Sequence, residues 1–128
     1  MNLKTLINDF RNDNSKEKYS LMFQKIIDMY NNDEVLFLVG KIAAKDDGLE
    51  QKYISKTIEN EVYLLVCTED AELFSEGEGY SYIGLKVENM FNYLLDNEKI
   101  DGFVLNDNDG PGSVMVTKDL IQRLFAAQ

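Results

Sequence analysis

A chain of 128 residues with 45% apolar content has the length of one domain and enough hydrophobic side chains for a packed core. Against 13 Lys and Arg stand 23 Asp and Glu with no His, a formal charge of −10, which argues against a nucleic-acid-binding role and favours cations or basic partners. Without His no Ser-His-Asp or Cys-His centre can form within the chain, and a lone Cys67 supports neither an intramolecular disulfide nor a Cys-rich zinc site.

Leu3, Leu6, Ile7 and Phe10 fall at i, i+3, i+4 and i+7, the apolar stripe of a short helix that ends near Asn12-Asp13-Asn14. Ser15 can cap a second helix carrying Tyr19, Met22, Phe23, Ile26, Ile27 and Tyr30 on one side, and Asn31-Asn32-Asp33 stops it. That stripe is better read as a face packed on a sheet than as a cofactor groove. From Glu34 the pattern turns to strands: Val35–Val39, Lys52–Ile58 with its alternation, and the apolar run Val62–Cys67. Asp46-Asp47-Gly48 and Glu59-Asn60-Glu61 supply the reversals, so an antiparallel meander is expected, its third strand central and covered on both faces.

Thr68 then resembles an N-cap, with Glu69, Asp70 and Glu72 in the first turn of a helix through about Ser75. Glu76-Gly77-Glu78-Gly79 reads as a loop, Tyr80–Leu85 as a strand and Val87–Asn97 as a helix. Two short strands, Phe103–Leu105 and Val114–Val116, flank the loop Asp107–Gly112, and Thr117 caps a last helix. The order is ααβββαβαββα, which predicts a single α+β domain over residues 1–128, a mixed or mostly antiparallel sheet with helices packed on it.

Motifs that carry chemistry fail their own templates. With Gly110 as the invariant glycine of a calcium loop, the first and last ligand positions would be Leu105 and Val116, which offer no side-chain oxygen. Gly77-Glu78-Gly79 lacks the third glycine of a dinucleotide fingerprint, since Tyr82 stands there, and no P-loop occurs. Carboxylate pairs such as Glu69 with Asp70 or Glu76 with Glu78 sit beside caps and glycines, where a solvated surface is expected rather than an acid and base. Cys67, in an apolar strand followed by acids, reads as a buried structural thiol. Alternation places Tyr80 and Tyr82 on one face, where packing against a helix is favoured over binding a cationic or planar ligand. No cofactor, metal ligand or catalytic residue is assigned.

The N-terminal Met1–Asp9 is interrupted by polar and acidic residues, unlike a signal peptide, and the longest apolar run, Val62–Cys67, falls far short of the ~20 residues of a membrane helix. A soluble cytoplasmic protein that meets neither nucleic acid nor membrane is the expectation, consistent with one cysteine.

The stretch Leu64–Phe74, the helix after it, then Ile100-Asp101-Gly102-Phe103-Val104-Leu105-Asn106, a glycine-containing loop, and Val116–Ile121 resembles the SseB N-terminal domain family, named for enhanced serine sensitivity. The likeness covers about residues 15–126 and consists of structural punctuation rather than catalytic signatures. Asp107 follows Asn106 where the family commonly has Pro. What the resemblance implies is a bacterial cytoplasmic domain of unestablished biochemical activity, linked by name to a serine-dependent growth phenotype, with no catalytic residues.

The acid excess is local. Residues 1–45 carry 7 basic and 6 acidic side chains, residues 46–109 carry 4 and 16, and residues 110–128 carry 2 and 1. A candidate interaction surface for a basic protein partner or a small ligand therefore comprises Glu69, Asp70, Glu72, Glu76, Glu78, Tyr80, Tyr82, Asn106, Asp107 and Asp109. A non-enzymatic binding or regulatory module is the first expectation. The alternative is a divalent-metal-dependent hydrolase or transferase using Asp107, Asp109, Glu69 and Asp70, and a homodimer through an edge strand or helix face is a third.

Overall fold

The computed structural model describes residues 2–68, 80–106 and 114–126. Helices α1 (Leu3–Asn12) and α2 (Lys16–Asn31) lead into strands β1 (Val35–Lys45), β2 (Gly48–Tyr53), β3 (Ser55–Ile58), β4 (Glu61–Cys67) and β5 (Tyr80–Lys86). Helix α3 (Val87–Asp96), strands β6 (Gly102–Leu105) and β7 (Val114–Thr117), and helix α4 (Lys118–Ala126) complete them. Among the described residues these form an α+β fold of four helices and a seven-stranded mixed sheet, in agreement with the expected class. None of the described helices is long and apolar enough to cross a membrane.

The helix starts follow their caps. Asn2 Oδ1 accepts from the Thr5 amide at 2.9 Å, Ser15 Oγ accepts from the Lys18 amide at 3.2 Å, and Thr117 Oγ1 accepts from the Leu120 amide at 3.2 Å. The expected helix Glu69–Ser75 and the loops Glu76–Gly79 and Asp107–Gly112 lie outside the described residues.

The meander needs correction. Lys52–Ile58 is not one strand: the chain from Gly48 is already extended, and it changes partners at Ile54. Phe37 and Leu38 of β1 pair directly with Cys67 and Val66 of β4. One residue further along, Ile54 is wedged between the two strands, its amide donating to the Val39 carbonyl at 2.9 Å and its carbonyl accepting from the Leu65 amide at 3.0 Å. On one side of this wedge β2 follows β1, and on the other β3 follows β4. The sheet forks there. The order is thus ααβββββαββα among the described residues. The tight turn into β4 uses Glu59 and Asn60, both at positive φ (50° and 69°), the geometry of a two-residue hairpin.

Phe37 and Leu38 also pair with β5, so β5 and β4 occupy opposite edges of β1 and run parallel to one another. On its other side β4 pairs in parallel with β6, and β6 pairs antiparallel with β7. All four helices bring their apolar stripes to one face. There Ile7, Met22, Ile26, Met90, Phe91, Leu94 and Ile121 pack with Leu36, Leu38, Leu64, Val66, Phe103, Leu105, Val114 and Val116. Strand alternation sends Val39, Tyr63, Leu65, Cys67 and Val104 to the opposite face, where each is at most 5% exposed. β4 is therefore buried on both faces, as its unbroken apolar run suggested.

Candidate functional site

β4 and β6 pair in parallel, and the strands that come next in the chain lie on opposite sides of this pair, β5 beyond β1 and β7 beside β6. Such a divergence is where open sheets with parallel strands form ligand crevices. The entrance to β6 is fastened first. Asp101 donates its amide to the Val62 carbonyl at 2.7 Å and accepts from the Val62 amide through Oδ2 at 2.9 Å. Gly102 then passes so near β7 that a Cβ would lie 2.3 Å from the Val116 carbonyl oxygen, so the Asp-Gly pair of the sequence is a packing requirement.

At the exit, Asn106 locks the two strand ends together. Its amide donates to the Val66 carbonyl at 2.9 Å, its Oδ1 accepts from the Thr68 amide at 2.9 Å, and its Nδ2 donates to Thr68 Oγ1 at 3.1 Å. Asn106 makes these bonds from a left-handed backbone conformation, φ 47°, which Asn tolerates better than most side chains. From α1, Arg11 Nη2 reaches across to the Leu105 carbonyl at 3.2 Å and to the Asn106 carbonyl, placing a cation where two backbone oxygens end the strand. From α2, the Tyr19 hydroxyl donates to the Met115 carbonyl at 2.9 Å.

The candidate surface separates accordingly. Asn106, 5% exposed, is a buried clasp and not a surface contact; its bonds to Thr68 consume the side chain. Glu69, Asp70, Glu72, Glu76, Glu78, Asp107 and Asp109 lie outside the described residues, but Glu69 and Asp107 directly follow the two clasped residues in the chain. In the register with β1, Tyr80 pairs with Lys41 and Tyr82 with Val39, which puts Tyr82 on the sheet face of Val39. That face is the one away from the four helices, so Tyr82, 42% exposed, does not pack against a described helix as expected. Arg11 was not visible as a site residue in the sequence: nothing local marks a side chain whose partners lie 94 and 95 positions away.

Among the described residues, Cys67, Tyr19 and Tyr63 are all shifted toward their neutral forms. Burial pushes the Cys67 thiol up to about 11 and the Tyr19 hydroxyl up to about 12. Tyr63 rises to about 12, first because it donates to Glu61 Oε2 at 2.5 Å, then through burial and the nearby charges of Glu61, Asp101 and Glu59. At neutral pH Cys67 is a thiol rather than a nucleophilic thiolate, in line with its expected structural role. Among the described residues no group of three or more His, Cys, Asp or Glu side chains is placed to hold a metal ion.

Beside the clasp, α1, α2 and the start of β1 enclose a cleft of about 470 Å³ that includes Lys4, Lys25, Glu34 and Thr68. The fold and this strand-end site define an α+β domain with a polar, tightly bonded junction of two parallel strands. No protein-family model matches the chain, and no curated protein or solved structure shows significant similarity to it.

Proposed function

We propose that this chain is a non-enzymatic binding or regulatory module of the SseB-like type, bacterial and cytoplasmic, acting through its acidic segments on a basic protein partner. The observation that carries this reading is the Asn106–Thr68 clasp: two residues 38 positions apart are joined by two hydrogen bonds, and the acidic runs beginning at Glu69 and Asp107 both depart from it. In the sequence Glu69, Asp70, Glu72, Glu76 and Glu78 follow Thr68 with no intervening base, a local excess of negative charge that favours encounter with a positive surface. The neutral Cys67, Tyr19 and Tyr63 support a scaffold role for the buried polar groups. A link to serine sensitivity belongs to the same proposal and rests on the sequence resemblance alone.

The test is binding of a lysine-rich peptide. Charge reversal at Glu69, Asp70 and Glu72 is expected to abolish binding, and reversal at Glu17 and Asp28 on α2 to leave it largely intact. Equal losses from both sets would reduce the effect to net charge. The competing metal-dependent hydrolase is tested by thermal melting with Mg²⁺, Mn²⁺ and Ca²⁺: a Tm that climbs with metal concentration would overturn the non-enzymatic reading, because a ligand held only by the folded state must stabilise it.

A further inference from the structure

We propose that the cleft beside Thr68 binds an aliphatic α-amino acid in its zwitterionic form. The proposal rests on the binding-module reading and supplies it with a ligand class and a second site. Lys25 of α2 and Glu34 at the entrance to β1 both line this cleft, and among the described residues neither makes an ion pair, with the other or with any further side chain. A cation and an anion that share a cavity without pairing suit a ligand that carries both signs and joins them. Lys4 also lines the cleft but has an interaction of its own, and it takes no part in the proposed contacts. Glu69 directly follows Thr68 in the chain, so Lys4 and Lys25 are matched by Glu34 and Glu69, a balance that favours a ligand without net charge.

Thr68 supplies the third polar contact. It is 8% exposed and lines the cleft, and its Oγ1 accepts from Asn106 Nδ2, which fixes the side chain and leaves the hydroxyl proton to donate elsewhere. Among the described residues that proton has no acceptor, and a nearly buried donor calls for one. The α-carboxylate takes this hydrogen bond together with a charge-assisted one from the Lys25 ammonium, and the α-ammonium donates to the Glu34 carboxylate. Leu3 and Met29, both buried, form the apolar part of the lining and suit a hydrocarbon side chain on the ligand. The volume of about 470 Å³ falls within the roughly 300–1,000 Å³ of small-molecule sites.

Titration of the full chain with leucine, with isocaproate, which lacks the ammonium, and with isoamylamine, which lacks the carboxylate, tests this by amide NMR shifts. Saturable shifts centred on Lys25, Glu34 and Thr68 are expected for leucine. Each analogue should bind about tenfold more weakly, the loss typical of one hydrogen bond to a charged group. Lys25→Gln and Glu34→Gln, neither of them in the buried core, should each weaken leucine by about the same factor, while Glu34→Gln should leave isocaproate no weaker than before. Thr68→Ser, which keeps the hydroxyl, should retain leucine binding, whereas Thr68→Val should weaken it. Scattered or non-saturable shifts, an analogue as tight as leucine, or a leucine affinity unchanged by either Gln variant would overturn the proposal. Failure here with lysine-peptide binding intact removes the cleft alone; loss of peptide binding with leucine binding intact removes the acidic-segment reading.

Discussion

The two faces of the sheet reach similar dryness by different means. On one, four amphipathic helices lay regular stripes over Leu36, Leu38, Leu64, Val66, Phe103 and Leu105, and aromatic rings link the layers: Tyr30 to Phe91 at 5.5 Å, Phe91 to Phe103 at 6.3 Å. On the other, Val39, Tyr63, Leu65, Cys67 and Val104 are as deeply buried with no described helix above them, and exposure returns at Val35 and Tyr82 toward the β5 edge. A continuous apolar strand such as β4 reports burial on both faces without reporting what does the burying.

The largest effect is expected where the strands approach most closely. Gly102→Val would drive its Cβ into the Val116 carbonyl and the Thr117 Cα, backbone atoms that cannot swing aside, and should destabilise the fold by more than about 3 kcal/mol in chemical denaturation. A pair of truncations then weighs the two faces directly. Leu94→Ala under the helices and Leu65→Ala on the opposite face should each lose about 2–5 kcal/mol. A loss below about 1 kcal/mol for Leu65→Ala would show that the second face is dry without being packed like a core.

Asn106→Ala acts between the faces, at the strand ends. It leaves the buried Thr68 amide without its acceptor and puts a Cβ-bearing residue with no stabilising side-chain bond at φ 47°, together about 1–3 kcal/mol. Asn106→Gly removes the same hydrogen bonds but relaxes the backbone, so the difference in denaturation midpoint between the two variants measures the conformational part.

The helix-covered face was legible because each of its elements carries a periodic signal and a capping residue: the stripes at Leu3–Phe10 and Tyr19–Tyr30 needed no knowledge of their partners. The fork at Ile54 was not, since period-2 alternation continues unbroken through Lys52–Ile58 and only a change of neighbouring strand divides it. At the site, Asp101-Gly102 and Asn106 stood out as punctuation, and their roles proved to be those of fasteners between distant strands. Long-range partners such as Arg11 with the end of β6 leave no local trace, and neither does a cleft assembled from α1, α2 and β1.

The smallest effect at neutral pH, and the one that compares the faces by chemistry, is alkaline titration. Tyr19 lies among the helices, whereas Tyr63 and Cys67 lie on the opposite face, and all three have folded-state proton affinities above their ordinary values. A raised folded pKa means that folding holds the proton, so its contribution is fully present below the ordinary value and is lost as pH rises through the shifted one. For Cys67 that window runs from 9.0 to about 11, and for Tyr19 and Tyr63 from 10.0 to about 12. Stability should therefore show no contribution from these groups' titration near pH 7 and fall between about pH 9 and 12. Tyr63→Phe should flatten part of that fall while removing the Glu61 hydrogen bond, and Cys67 in the folded protein should react with a thiol reagent at pH 8 far more slowly than in the denatured chain. Rapid labelling of Cys67 without unfolding would mean that water and reagents reach the second face, and the likeness of the two faces would end there.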